Sequence, residues 1–373
     1  MDPLAQFCPN FYCLNRGKAG LGNIRVHSHQ ERRFRCTTCG RTFAATRNTP
    51  YFRLHKSHDL VTLVLTLLTH GCPRQAVVAA YGLDERTVAG WQRRAGQHSQ
   101  RFHELHVQQG RVDIQHVQAD ELWVKVLGRR LWMAMALAVP SRLWLGGVVS
   151  RRRDGRLIAA VVRRVRGCAR SLAILVCVDG LASYVSAFIK GFRHRLPRHG
   201  RPGRPRLLVE PGLLIGQVIK RYSGRRVVGV TRRVARGSAA AIAAVLARTG
   251  TGTGINTAYI ERLNATFRAR WTPLVRRGRA LVNERSVEAG MWLVGCAYNF
   301  CWEHESLRVA APAGSGRRWA SRTPAMAAGL TDHRWQLREL LGERLPPAQW
   351  KAPRRQPRRR RRTATPLAPR LVA

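Results

Sequence analysis

Carboxylates are scarce in this sequence. Asp and Glu number 20 against 66 Lys and Arg in 373 residues, a formal net charge of +46. So large a basic excess excludes an ordinary metabolic enzyme as the default reading and points to a polyanion, with nucleic acid the obvious one. A membrane surface is the weaker candidate, because no stretch reads as a basic amphipathic anchor. Long apolar runs are missing as well. The longest, Leu131–Pro140 and Leu172–Val178, fall short of the roughly 20 residues a membrane span needs. Met1-Asp2-Pro3 opens no basic, then apolar, leader, so no secretory signal is expected. No internal repeat is apparent, which removes solenoid architectures. Hydrophobic residues nonetheless make up 45% of the chain, enough for a real core.

Composition divides the chain. Residues 1–55 hold paired cysteines, 56–105 read as short helices, and 110–310 alternate strand-like and helix-like patterns. A C-terminal extension at 311–350, expected to be helical, precedes an Arg/Pro-rich tail, 351–373, with five consecutive arginines at Arg358–Arg362. That tail buries too little apolar surface to order itself and suits non-specific phosphate contacts. Of nine cysteines, Cys8, Cys13, Cys36 and Cys39 lie in the first 40 residues. Two close thiol pairs, the second followed by Gly40, match a four-cysteine tetrahedral Zn²⁺ site in a reducing compartment. All four positions are filled, so the site is structural; His27 and His29 between the pairs read as surface residues.

Leu60, Val64, Leu67 and Leu68 make a helical stripe that breaks at Gly71-Cys72-Pro73. A second helix over Arg74–Tyr81 stops at Gly82, and Asp84 is an N-cap for a third over Glu85–Arg94. Helix, tight turn and basic helix is the grammar of a helix-turn-helix, which leaves Arg86, Gln92, Arg93 and Arg94 for DNA contacts.

In so basic a chain, a carboxylate inside an apolar element needs a reason. Asp120 lies in the strand pattern Val117–Val126 and shares a face with Leu122 and Val124; Glu121, on the other face, is the poorer candidate. Asp179 ends a buried strand where Gly180 opens a helix, the place where open α/β sheets gather ligands, although a plain N-cap explains it equally well. Glu261, Asn264 and Arg268 share one face of a helix expected over Asn256–Trp271. Three converging carboxylates would hold two Mg²⁺ ions, or Mn²⁺, for in-line displacement at phosphorus.

Several stretches carry a resemblance: Phe34–Phe43, Asp120-Glu121-Leu122-Trp123, Val178-Asp179-Gly180, Asn256–Asn264, Tyr298-Asn299, His304–Leu307 and Thr323-Pro324. Together they resemble the DDE transposases of bacterial insertion sequences, in the group with an N-terminal zinc ribbon and helix-turn-helix. The resemblance implies a mixed α/β chain with a ribonuclease-H-like catalytic domain at 110–310, a mixed five-stranded sheet flanked by helices. It assigns Asp120, Asp179 and Glu261 to the metal-binding triad and Arg268 to the basic position beyond it. The 82-position step from Asp179 to Glu261 exceeds that of compact members and implies an insertion near 193–237.

The expected function is therefore a Mg²⁺-dependent transposase of the bacterial cytoplasm, associated with the nucleoid. It would bind element ends and target DNA and cut and join strands, as a homodimer or larger synaptic assembly by analogy with the family, with no membrane involved. The rival expectation is a non-catalytic zinc-containing helix-turn-helix DNA-binding protein, a regulator or decayed transposase. A third, a hydrolase of RNA–DNA hybrids, has no need of an end-recognition module.

Overall fold

In the computed structural model, which describes residues 1–126, 129–196, 203–275, 283–312, 314 and 316–347, the N-terminal cysteines sit on a small antiparallel sheet. Its strands are β1 (Ile24–Ser28), β2 (Arg33–Cys36) and β3 (Thr42–Ala44). Its buried core is only Cys8, Cys13, Ile24, Phe34, Cys36 and Phe43. Three helices follow, and the third starts where Asp84 predicts. Helix α1 (His58–Thr69) begins at Ser57, and α2 (Arg74–Tyr81) ends on Gly82 in the left-handed region. Helix α3 (Glu85–His106) is capped by the Asp84 carboxylate, which accepts from the Thr87 N–H at 2.9 Å. It does not stop at Arg94, because Ala95, Ser99 and Phe102 continue its buried stripe.

Strands β4 (His116–Val126), β5 (Arg129–Ala138) and β6 (Leu143–Ser150) form an antiparallel meander. Helix α4 (Gly155–Cys168) returns the chain to β7 (Leu175–Asp179), which starts three residues later than its apolar run. Helix α5 (Ala182–Gly191) leads to a short pair, β8 (Arg193–Arg195) and β9 (Leu207–Val209). Strand β10 (Leu214–Ser223) then pairs parallel with β7, and β11 (Arg226–Arg236) turns back along β10. The central sheet is mixed and six-stranded, ordered β11-β10-β7-β4-β5-β6, rather than five-stranded. Much of the expected insertion is thus sheet: β10 is an inner strand, and β11 is the additional edge.

The sheet separates two cores. Val117 and Ala119 of β4 face Val161 of α4 and Tyr184 and Phe188 of α5. Leu122 and Val124 face the other way, toward α7 (Ala258–Arg270) and α8 (Glu284–Phe300) through Ile260, Leu263, Phe267 and Met291. Just before α7 in sequence comes α6 (Ala239–Thr249), which covers β7 and β10. Thirteen of the 17 residues of α8 are buried, because it lies between α3 and the sheet. Two glycines permit that position. A Cβ on Gly96 would come within 2.3 Å of the Ala289 backbone, and one on Gly295 within 2.1 Å of the Trp144 ring. A helix buried all round has no one-sided stripe, which is why periodicity does not predict α8.

The expected helical extension at 311–350 is different in kind. Among its described residues it contains β13 (Trp319–Arg322), paired with β12 (His304–Ala310), and two short helices, α9 (Pro324–Ala327) and α10 (Leu337–Gly342). The core runs unbroken from Tyr51 through α1 and α3 to the sheet and on to Leu345, so the helices at 56–105 share their apolar interior with residues 110–310. Residues 351–373, expected to be a disordered tail, lie outside the described residues. No helix among the described residues is long and apolar enough to cross a membrane.

Candidate functional site

Past Asp179, β7 ends while β4 and β10 on either side continue. The gap between them is a cavity of about 700 Å³, lined by Asp120, Asp179, Glu261, Asn264, Arg268, Arg153, Lys220 and Tyr222 among others. Asp120 and Asp179 are near neighbours by register: each follows the last paired positions of their strands, Ala119 and Val178. Both lie on the face that α7 covers. The start of α7 is held from outside the helix. The Gln118 side-chain oxygen accepts from the Tyr259 and Ile260 N–H groups, both at 3.0 Å, while its amide donates to the Asn256 carbonyl at 2.8 Å. A buried glutamine two residues before Asp120 thereby satisfies helix-start donors and sets the register of Glu261 and Asn264 over the cavity. Nothing in the local pattern signals this role.

The acids fall into two groups. Ligand oxygens of Asp120, Glu121 and Asp179 lie within 4.8 Å of one another. Glu121 thus lies beside the two aspartates from the opposite face of β4 but is not among the residues lining the cavity. Its side chain has no exposed surface; it accepts from the Tyr184 hydroxyl at 2.8 Å and pairs with Arg153, which also reaches Asp179 at 3.8 Å. Glu261 lines the cavity outside that trio. Lys220 Nζ lies 2.6 Å from its Oε1, and the Thr257 hydroxyl donates to the same oxygen at 2.8 Å. Burial opposes ionisation of Glu261, but these two donors outweigh it and hold its carboxyl below the usual range.

Asp120 is perturbed the other way. Burial first, and then the charge of Glu121, push its carboxyl up to about 7, with Asp179 and Glu261 adding to the shift. Asp179 is raised chiefly by burial, against hydrogen bonding from the Leu181 N–H. Asn264 Nδ2 donates to Asp120 Oδ2 at 2.8 Å, leaving Asn264 Oδ1 buried without a hydrogen-bond partner. Crowded hard oxygens, an acid that resists ionisation and an orphaned acceptor fit a hydrated divalent cation of the Mg²⁺ type.

In the N-terminal sheet the four predicted thiols do meet. All four sulfurs lie within 4.8 Å of one another, with Cys8 to Cys39 at 3.6 Å and Cys13 to Cys36 at 3.8 Å. Zinc–sulfur bonds of about 2.3 Å in a tetrahedron place neighbouring sulfurs about 3.8 Å apart. The cluster could thus hold a metal such as zinc. His27 and His29 are exposed and stand outside it.

The expected DNA-contact residues on α3 divide. Arg86 and Arg93 are exposed. Gln92 is buried and accepts from Arg74 Nη2 at 3.0 Å, while Arg94 donates to the Phe52 carbonyl, so both serve the packing of the helices. Asn299, from the Tyr298-Asn299 pair, bonds both the N–H and the carbonyl of Trp144 at 2.9 Å and so docks α8 onto β6. No protein-family model matches the chain, and no match was found among curated proteins.

Proposed function

We propose that this protein is a DNA strand transferase of the transposase type, built on a ribonuclease-H-like domain with a zinc ribbon and a helix-turn-helix before it. The observation that carries the reading is the meeting of Asp120, Asp179 and Glu261 at one cavity, with Arg268 beside them, in a chain of net charge +46. Strand order supports it: an antiparallel meander followed by two parallel strands, with the acids where β7 ends. Bound Mg²⁺ would supply Lewis-acid activation and charge neutralisation at phosphorus.

The chain's own residues do the rest. Asp120 and Asp179 offer the inner oxygens, with Asn264 fixing the Asp120 carboxylate. Gln118 holds the helix that brings Glu261. Arg153 and Lys220 balance the acids and sit where a phosphodiester would enter. The surrounding arginines draw DNA toward a pocket its charge would otherwise avoid. A hydroxyl oxygen attacks phosphorus, the opposite P–O bond breaks, and a 3′-hydroxyl is released or consumed according to direction.

Asp120→Asn, Asp179→Asn and Glu261→Gln are each expected to lower Mg²⁺-dependent strand transfer by at least about 10³-fold while leaving duplex affinity within about twofold. A variant that keeps near-normal transfer removes its residue from the role. One observation favours the non-catalytic DNA binder as second reading: Glu261 is already neutralised by Lys220. Under that reading the wild-type chain binds DNA and transfers no strand at any Mg²⁺ concentration.

A further inference from the structure

The β10–β11 pair continues past the sheet. Strand β10 meets β7 only as far as Val218 opposite Asp179. Ile219 then lies beside Gly180 and Lys220 pairs with Glu261, and beyond them Arg221–Ser223 and the returning part of β11 form a two-stranded ribbon. Three residues at about 3.4 Å each carry the strand about 10 Å beyond Lys220. Gly224, at φ 58°, opens the two-residue turn at its tip. Both faces are open: Arg221, Tyr222, Arg225, Arg226, Val227 and Val228 are all exposed, Tyr222 by 61% and Val228 by 60%. An isolated ribbon with bare valines and tyrosine is marginal in water, so a partner that covers it is expected.

Charge selects the partner. Between Glu210 and Glu261 the sequence has no carboxylate, and β10 and β11 alone carry Lys220, Arg221, Arg226, Arg232, Arg233 and Arg236. A second copy pairing along the free edge of β11 would set these arginines against their own kind, a repulsion that protects edge strands from self-association. A two-stranded ribbon also fits the major groove of B-form DNA, about 12 Å wide. The ribbon is continuous with the cavity, whose wall includes Val218, Ile219, Lys220 and Tyr222.

We propose that the β10–β11 ribbon is a DNA-gripping arm, holding the duplex that flanks the phosphodiester seated in the acidic cavity. The arm rests on the reading of this protein as one that acts on DNA. Its exposed arginines neutralise phosphates on either side of the groove, and Tyr222, at the junction of arm and cavity, packs against the strand as it enters the site. This contact lies apart from the exposed arginines of α3, so two surfaces would hold one DNA molecule.

The test is duplex binding by the full-length protein across a salt series, without added Mg²⁺, using DNA of random sequence. Replacing Arg221, Arg225 and Arg226 together by Ala is expected to reduce the slope of log affinity against log salt by about 2–3, and to weaken binding ~10-fold or more near 0.15 M salt. Replacing the same three by Lys keeps charge and is expected to keep the slope. Arg225→Glu alone, at the turn, gives the same direction of change if the triple Ala variant does not fold. If wild type binds duplex and neither the triple Ala variant nor Arg225→Glu changes affinity or slope, the arm is overturned while the DNA reading stands. Loss of a concentration-dependent dimer in those variants, with DNA binding intact, overturns it in favour of an interface between copies. If wild type binds no duplex at all, the DNA reading fails and the arm with it.

Discussion

The thiol cluster and the carboxylate cavity are both gatherings of like ligands, yet they are built in opposite ways. Four cysteines lie within 32 residues, and three of them make up half of the six buried side chains in the core they belong to, with Ile24, Phe34 and Phe43 as the rest. The acids come from strands and a helix far apart in sequence and sit in a frame that is already balanced: Arg153 and Tyr184 hold Glu121, Lys220 and Thr257 hold Glu261, and Asn264 holds Asp120. Loss of metal should therefore cost the first its fold and the second only its chemistry.

The largest expected effect tests that contrast. Structural zinc in small modules contributes about 10 kcal/mol or more of folding free energy. A strong chelator should thus open β1–β3 to protease while α3, α8 and the central sheet stay protected. An unchanged cleavage pattern would mean that six side chains hold the β1–β3 sheet without metal, and the comparison would fail.

Protons probe the two frames next. His27 in the thiol cluster's sheet and His29 beside it are exposed, whereas burial lowers His98 to about 4 and His103 and His116 to about 3, with the charge of Arg164 adding for His103 and that of Arg142 for His116. Their unfolded value is 6.5, so below pH 6.5 the unfolded chain binds protons that the fold refuses, and stability falls. At pH 5 each costs about 2 kcal/mol relative to neutrality. Asp120, raised to about 7, acts in the opposite sense, because its protonated form suits the fold, and offsets part of the loss. Urea unfolding of the sheet region should accordingly weaken between pH 6.5 and 4.5. Constant stability over that range would show that the imidazoles find partners when charged.

The smallest effect concerns the frame of the acids alone. Gln118→Met keeps volume but removes the acceptor for Tyr259 and Ile260, at a cost of about 1–3 kcal/mol. It should loosen Glu261 and lower strand transfer well before it unfolds the sheet. Full activity with reduced stability would show that the start of α7 does not position the acid.

Much of this was legible locally. The Cys8–Cys39 spacing, the cap at Asp84, the glycine stop at Gly82 and the strand over Val117–Val126 follow from neighbours along the chain. The placement of Asp120 on the Leu122 face was legible too, because strand period is strict. Helix α8 was hidden by burial on every side. The extension of α3 was missed because Arg94, a natural end by charge, is absorbed by the Phe52 carbonyl. The partners of Glu121 were not legible, because strand period says which face a side chain takes but not what waits there; Tyr184 and Arg153 come from α5 and the loop after β6.

By itself, the sequence determined a basic chain with a thiol site, a set of helical caps and three acids that needed explaining, since charge, spacing and period act over a few residues. Tertiary structure alone decided that β10 lies parallel to β7, that the cavity opens where β7 stops, and that Lys220 rather than another carboxylate meets Glu261. Those are contacts between segments about 40 residues or more apart, chosen by how the whole core packs, and no local pattern encodes them.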